Sequence, residues 1–109
     1  MPPLNQTFAA LGDATRFAIV DHLLSQGEQS AGQLQQLTDI SPPAVSRHLK
    51  VLRLAGLINQ RVDRQKRIYS VNPAAIQAVN AWVEYHRKFW DSSLDRLERA
   101  LDMEGLNNG

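Results

Sequence analysis

The sequence predicts a mainly α fold with one small β-hairpin, and three observations carry that reading. Residues 42–55 form a capped helix with aliphatic side chains on one side and cations on the other. A short amphipathic helix ends only a few residues before it. A segment rich in β-branched and aromatic residues, with a charged centre, follows it. In that order they make a winged helix-turn-helix: four helices, a two-stranded hairpin and a final helix (α-α-α-α-β-β-α), expected as one domain over residues 1–109.

The first helix is expected at residues 4–11, where Leu4, Phe8 and Leu11 recur at helical spacing and Gly12 ends the run. Asp13 then caps a second helix reaching Gln26, with Phe17, Val20, Leu23 and Leu24 assigned to its apolar side and Gly27 as its stop. Ser30 and Gln33 make a capping box for a short third helix that buries Leu34 and Leu37. Thr38, Asp39 and Ile40 form the turn, with Asp39 standing where glycine is common because aspartate tolerates the left-handed region.

The fourth helix is capped by Ser41, starts on Pro42, whose missing amide costs nothing in a first turn, and stops at Gly56. Val45, Leu49 and Leu52 face a core, while Pro43, Ser46, Arg47 and Lys50 fall on the opposite side. The bare helix pair also occurs as plain core structure. Residues 57–63 and 67–71 then supply two strands around a tip of Arg64, Gln65 and Lys66. As a wing, this hairpin reaches phosphates or a minor groove; as a solvated edge, its cations merely discourage strand pairing. The wing reading is preferred because the charges continue the stripe begun by the helix.

Charge supports this. Between residues 41 and 71 seven cations (Arg47, Lys50, Arg53, Arg61, Arg64, Lys66 and Arg67) face Asp63 alone, a net +6, so the remainder of this +1 chain nets −5. A basic stripe on an acidic body steers a polyanion to one face. The expected DNA contacts are therefore Ser41, Pro43, Ser46, Arg47, His48, Lys50, Arg53, Arg61, Arg64, Gln65, Lys66 and Arg67, with Arg47 as the principal base reader. His48 borders the core face, so buried support and phosphate contact both remain open, and Arg16 is read as structural. A wing that faces an acidic protein instead is the competing interpretation.

Asn72 and Pro73 open a last helix expected to run to about Leu101, roughly 40 Å at 1.5 Å per residue. Val79, Val83, Trp90, Leu94, Leu97 and Leu101 make one apolar stripe, and Trp82, Tyr85 and Phe89 another. One stripe is expected to pack on this chain's own core. The other, with Leu4, Phe8 and His86, is assigned to a second copy.

The sequence also excludes a good deal. It contains no cysteine, which removes disulfides, thiolate metal sites and cysteine nucleophiles. Its apolar runs, such as residues 17–20, are far below the roughly 18 residues needed to span a bilayer, so a cytoplasmic protein without a membrane partner is expected. Ser46 and His48 lie two apart on one helix and point to different faces, leaving no nucleophile and base pair, and no glycine-rich phosphate loop is present. An enzyme is not expected.

Taken together, residues 11–20 (LGDATRFAIV), residues 41–57 (SPPAVSRHLKVLRLAGL) and the Arg/Lys hairpin ending in Ile68-Tyr69 resemble the ArsR-type (ArsR/SmtB) winged-helix repressors over nearly the whole chain. The resemblance implies a homodimer built on the first and last helices, each fourth helix in a major groove of a palindromic operator, usually upstream of the protein's own operon. The family's metal sensors use a Cys-x-Cys motif, which is impossible here, or paired Asp/His and His/Glu sets in the last helix. Glu84, His86, Asp95 and Glu98 have the right residue types without the sensor spacing, so the expectation is no metal and no cofactor, in a cysteine-free branch of the family. No inducer, metal or small molecule, is assigned. The wing departs from the family in carrying Gln65 where glycine is common.

Overall fold

The computed structural model describes residues 3–108, and the side chains of residues 3–105. In chain order the elements are α1 (Leu4–Leu11), α2 (Ala14–Gln26), β1 (Gln29–Ser30), α3 (Ala31–Gln35), α4 (Pro42–Leu54), β2 (Ile58–Asp63), β3 (Lys66–Val71) and α5 (Pro73–Asn108). They fall into two compact units, one ending at Ile76 and one beginning at Gln77.

Local chemistry sets the helix starts. The Asp13 carboxylate accepts the Arg16 amide at 3.0 Å, and the Ser41 hydroxyl accepts the Ala44 amide at 3.3 Å. At α3 the capping box closes in both directions, Gln33 N–H to Ser30 Oγ at 3.2 Å and Ser30 N–H to Gln33 Oε1 at 2.8 Å. Gly27 and Gly56 end α2 and the α4 turn with φ of 78° and 75°, conformations that a Cβ would strain.

The first unit is built around Ile19, Leu34, Leu52 and Leu57, which are all fully buried, together with Val20, Leu23, Val45, Leu49, Ile58 and Tyr69. The buried face of α2 therefore differs from the expected one. Ile19, Val20 and Leu23 enter the core, while Phe17 and Leu24 are more than half exposed. These two lie roughly 100° round the helix from Leu23, and the elements α2 packs on, α4 and β3, meet the other side. Leu37 is likewise exposed, because α3 is only one and a half turns long and ends at Gln35, before Leu37 is reached. The α3–α4 connection is correspondingly longer than three residues and is closed by Gln35, whose amide donates to the Ile40 carbonyl at 2.7 Å.

The hairpin gains a third strand. Gln29 and Ser30 pair antiparallel with Tyr69 and Ile68, so the sheet order is β1-β3-β2 with the wing's second strand in the middle. The β2–β3 register runs from Ile58 opposite Val71 to Asp63 opposite Lys66, leaving a two-residue turn of Arg64 and Gln65. Arg64 carries the positive φ, 58°, at the position a type II′ turn reserves for glycine; Gln65 needs no such freedom. Asp39 has negative φ, since Arg64 is the one non-glycine residue with positive φ among those described.

In the second unit α5 continues past Leu101 as helix through Asn108. Val79 is half-buried. From Trp82 onward both apolar stripes are exposed, at 46–60% for Trp82, Val83, Phe89, Trp90, Leu94, Leu97 and Leu101 and 79% for Tyr85. The expectation that one stripe is covered by the chain's own core is therefore corrected for every member beyond Val79. Among the described residues, no helix is long and apolar enough to cross a membrane.

Candidate nucleic-acid interface

Burial of Val45, Leu49 and Leu52 turns one side of α4 inward, so the residues between them must face out. Ser41, Pro43, Ser46, Arg47, Lys50 and Arg53 are all exposed. On the wing, Arg61, Arg64, Gln65, Lys66 and Arg67 are exposed as well. The sheet register sorts these cations by face. Tyr69, opposite Gln60, is buried, and Arg67, opposite Val62, shares its side of the sheet; Arg61, opposite Ile68, lies on the other.

Arg67 is the hinge of the site. A cleft of about 280 Å³ between α4 and β3 is lined by Ser46, Lys50 and Arg53 on one side and Arg67 and Tyr69 on the other. A second, of about 510 Å³, runs between the start of α3 and the wing, lined by Ser30, Gly32, Gln33 and Gln36 together with Gln65, Lys66 and Arg67. The α3 side of this surface was not among the expected contacts. Its signal in the sequence, the run of glutamines at 33, 35 and 36, is polar without being charged and reads equally as a solvated helix.

Two expected contacts are engaged elsewhere. Arg61 donates from Nη2 to Glu28 Oε2 at 2.6 Å, so this cation braces the base of the wing to the loop before β1. The hydrogen bond and the charge of Arg61 hold the Glu28 carboxyl below the usual carboxylate range. A depressed carboxylate keeps its contact above the ordinary range and loses it as pH falls through the depressed value, so the brace persists at neutral pH and releases in acid. His48 is half-buried and faces Arg16 and Asp13, with Nδ1 3.2 Å from Arg16 Nη1 and 3.8 Å from Asp13 Oδ2. The sequence left buried support and phosphate contact open for this residue; its ring is packed on the support side.

The last helix does not gather a metal site: among the described residues no three His, Asp or Glu side chains come together. Glu84 instead pairs with Arg87 at 3.2 Å, and Arg87 with Asp91 at 3.7 Å, the i,i+3 and i,i+4 pairs of a solvated helix face.

A family model described as a helix-turn-helix domain matches residues 11–61, which span α2 to the middle of β2. The chain is 35% identical over 101 residues to the HTH-type transcriptional regulator Rv2034 of Mycobacterium tuberculosis, covering 93% of this chain and 91% of that protein. It is also 35% identical over 80 residues to the transcriptional repressor SdpR of Bacillus subtilis, covering 73% and 88%. Among solved structures, an ArsR-like transcriptional regulator from Rhodococcus sp. RHA1 superposes with a TM-score of 0.71 at 28% identity, over 88% of this chain and 90% of that one. The chain belongs to the ArsR family of winged helix-turn-helix regulators. As an ArsR-family protein it is a DNA-binding transcriptional regulator and not an enzyme. The family also accounts for the fold, in which α3 and α4 form the helix-turn-helix and β2 and β3 the wing.

Proposed function

We propose that this ArsR-family regulator is a homodimeric repressor that binds a palindromic operator, its own upstream region included. Each copy places α4 in a major groove and its wing against the flanking backbone. The observation that carries this reading is the convergence of Ser46, Lys50 and Arg53 with Arg67 around one cleft, next to exposed Arg47. Phosphate contacts from the wing position the protein, and base contacts from α4 specify the site. The exposed stripes of α5, with Leu4 and Phe8 of α1, supply the surface for a second copy; several large aromatic and aliphatic side chains along one helix exceed what a monomer usually leaves in water. Repression follows the activity named for SdpR and for the arsenical resistance operon repressor of Escherichia coli, which is 38% identical over 68 residues. A cytoplasmic location, where operator DNA lies, belongs to the same reading.

Footprinting on the DNA upstream of the protein's own gene, with and without Zn(II), tests it. The expected result is two protected half-sites centred about 10 base pairs apart, unchanged by the metal. Light scattering that finds only monomer at micromolar concentration would remove the dimer.

The wing makes a separate prediction. Lys66→Ala is expected to weaken operator and random DNA alike and to make the slope of log affinity against log salt shallower by about 0.9, the value for one phosphate contact. An unchanged slope would take Lys66 off the backbone.

A further inference from the structure

The contact of His48 with Arg16 is the one cluster of polar side chains in the first unit that the DNA surface does not use. Arg16 sits in the first turn of α2 and reaches in two directions. Its Nε donates to the Ala10 carbonyl at the end of α1, at 2.7 Å, and its Nη1 lies 3.2 Å from His48 Nδ1, in the middle of α4. A guanidinium can only donate, so Nδ1 accepts and the ring is neutral with its proton on Nε2. Asp13, the cap of α2, completes the group: Oδ2 takes the Arg16 amide at 3.0 Å and lies 3.8 Å from the imidazole. Beside this link α1 and α4 face each other across an open cleft of about 340 Å³, whose walls include Ala9 of α1 and Val51 and Leu54 of α4. A polar tie thus spans the two helices where apolar packing is incomplete.

We propose that Arg16 and His48 are positioning residues that hold the recognition helix against the end of α1, so that operator selectivity depends on a side-chain link lying off the DNA-reading face. His48 neighbours Arg47 in the chain. Fixing the imidazole fixes the rotation of α4 about its axis at the residue that reads bases, and a rotation of about 10–20° spoils a bidentate contact. Phosphate contacts, made by flexible lysines and arginines, tolerate the same rotation. The inference rests on α4 being the reading helix.

The test compares affinities for the footprinted DNA and for random DNA in the full-length protein carrying His48→Leu, His48→Asn, Arg16→Lys or, as a reference, Arg47→Ala, each checked by thermal melting. His48→Leu is expected to lower the ratio of operator to random affinity by about 3- to 30-fold, with the salt slope unchanged. His48→Asn, whose Oδ1 can accept from Arg16 in place of Nδ1, keeps the ratio within about twofold. Arg16→Lys falls as far as His48→Leu, because an ammonium on a flexible stem lacks the planar fork that reaches both partners. Should His48→Leu melt too low to measure, the contrast between His48→Asn and Arg16→Lys carries the result. A folded His48→Asn as poor as His48→Leu, or His48→Leu equal to the parent, overturns the proposal; so does a change in salt slope, which would put His48 on a phosphate. If Arg47→Ala also leaves the ratio unchanged, the reading of α4 fails and takes this inference with it. If Arg47→Ala lowers the ratio and His48→Leu does not, this inference alone fails.

Discussion

Leu94→Glu is expected to separate the protein into monomers and to weaken operator binding by about 10²- to 10⁴-fold, the gain that linking two half-site contacts provides. Leu94 is 58% exposed in the single chain and lies on the stripe that continues through Leu97 and Leu101. Glutamate is a good helix former, so α5 itself should survive the change. A carboxylate buried without a cation at an apolar helix contact is strongly disfavoured, so the second copy should dissociate. Affinity for random DNA, measured per copy, should fall far less, because the α4 and wing surface of each copy is untouched. The control is Asp95→Asn, which alters the neighbouring residue without placing charge on the stripe. Sedimentation equilibrium and a binding titration on the same samples check both halves; a Leu94→Glu protein that stays dimeric would move the interface off this stripe.

Arg47→Ala is expected to reduce the ratio of operator to random affinity by about 5- to 150-fold, the equivalent of the 1–3 kcal/mol that a bidentate arginine–guanine contact discriminates. Arg47 is exposed in the second turn of α4, on the side opposite Val45, Leu49 and Leu52, and none of its contacts supports the core. Stability should therefore be unchanged. The loss should also be concentrated at one or two operator positions, so that a panel of singly substituted sites shows the mutant indifferent where the parent is selective. Equal losses on operator and random DNA would reassign Arg47 to a phosphate, and Lys50 would become the leading base reader.

The parts of this molecule that were legible beforehand are those set by neighbours along the chain. Asp13, Ser30 and Ser41 each cap a helix through an amide three residues on, and Gly27 and Gly56 stop helices through their own φ. The cationic side of α4 follows from the spacing of Val45, Leu49 and Leu52 in one helix. The wing was visible because alternating β-branched residues surround a charged tip. Phe17 shows where this reasoning stops. Its helical spacing with Val20 and Leu24 defines an apolar side of α2, but which arc of a broadly apolar helix is covered depends on where α4 and β3 lie, and they cover Ile19 instead.

By itself, then, the sequence determined the order of helices and strands, the caps that bound them and the family to which the chain belongs, because those depend on interactions reaching no further than about four residues. Only the tertiary structure decided which cations are free to meet DNA. Arg61 is held by Glu28, 33 residues away, across the middle strand of a sheet whose third member is two residues long. His48 is held by Arg16 from 32 residues away. Both pairs look like ordinary surface charge in the sequence, and a hydrogen bond between such distant residues is specified by the packing that brings their elements together.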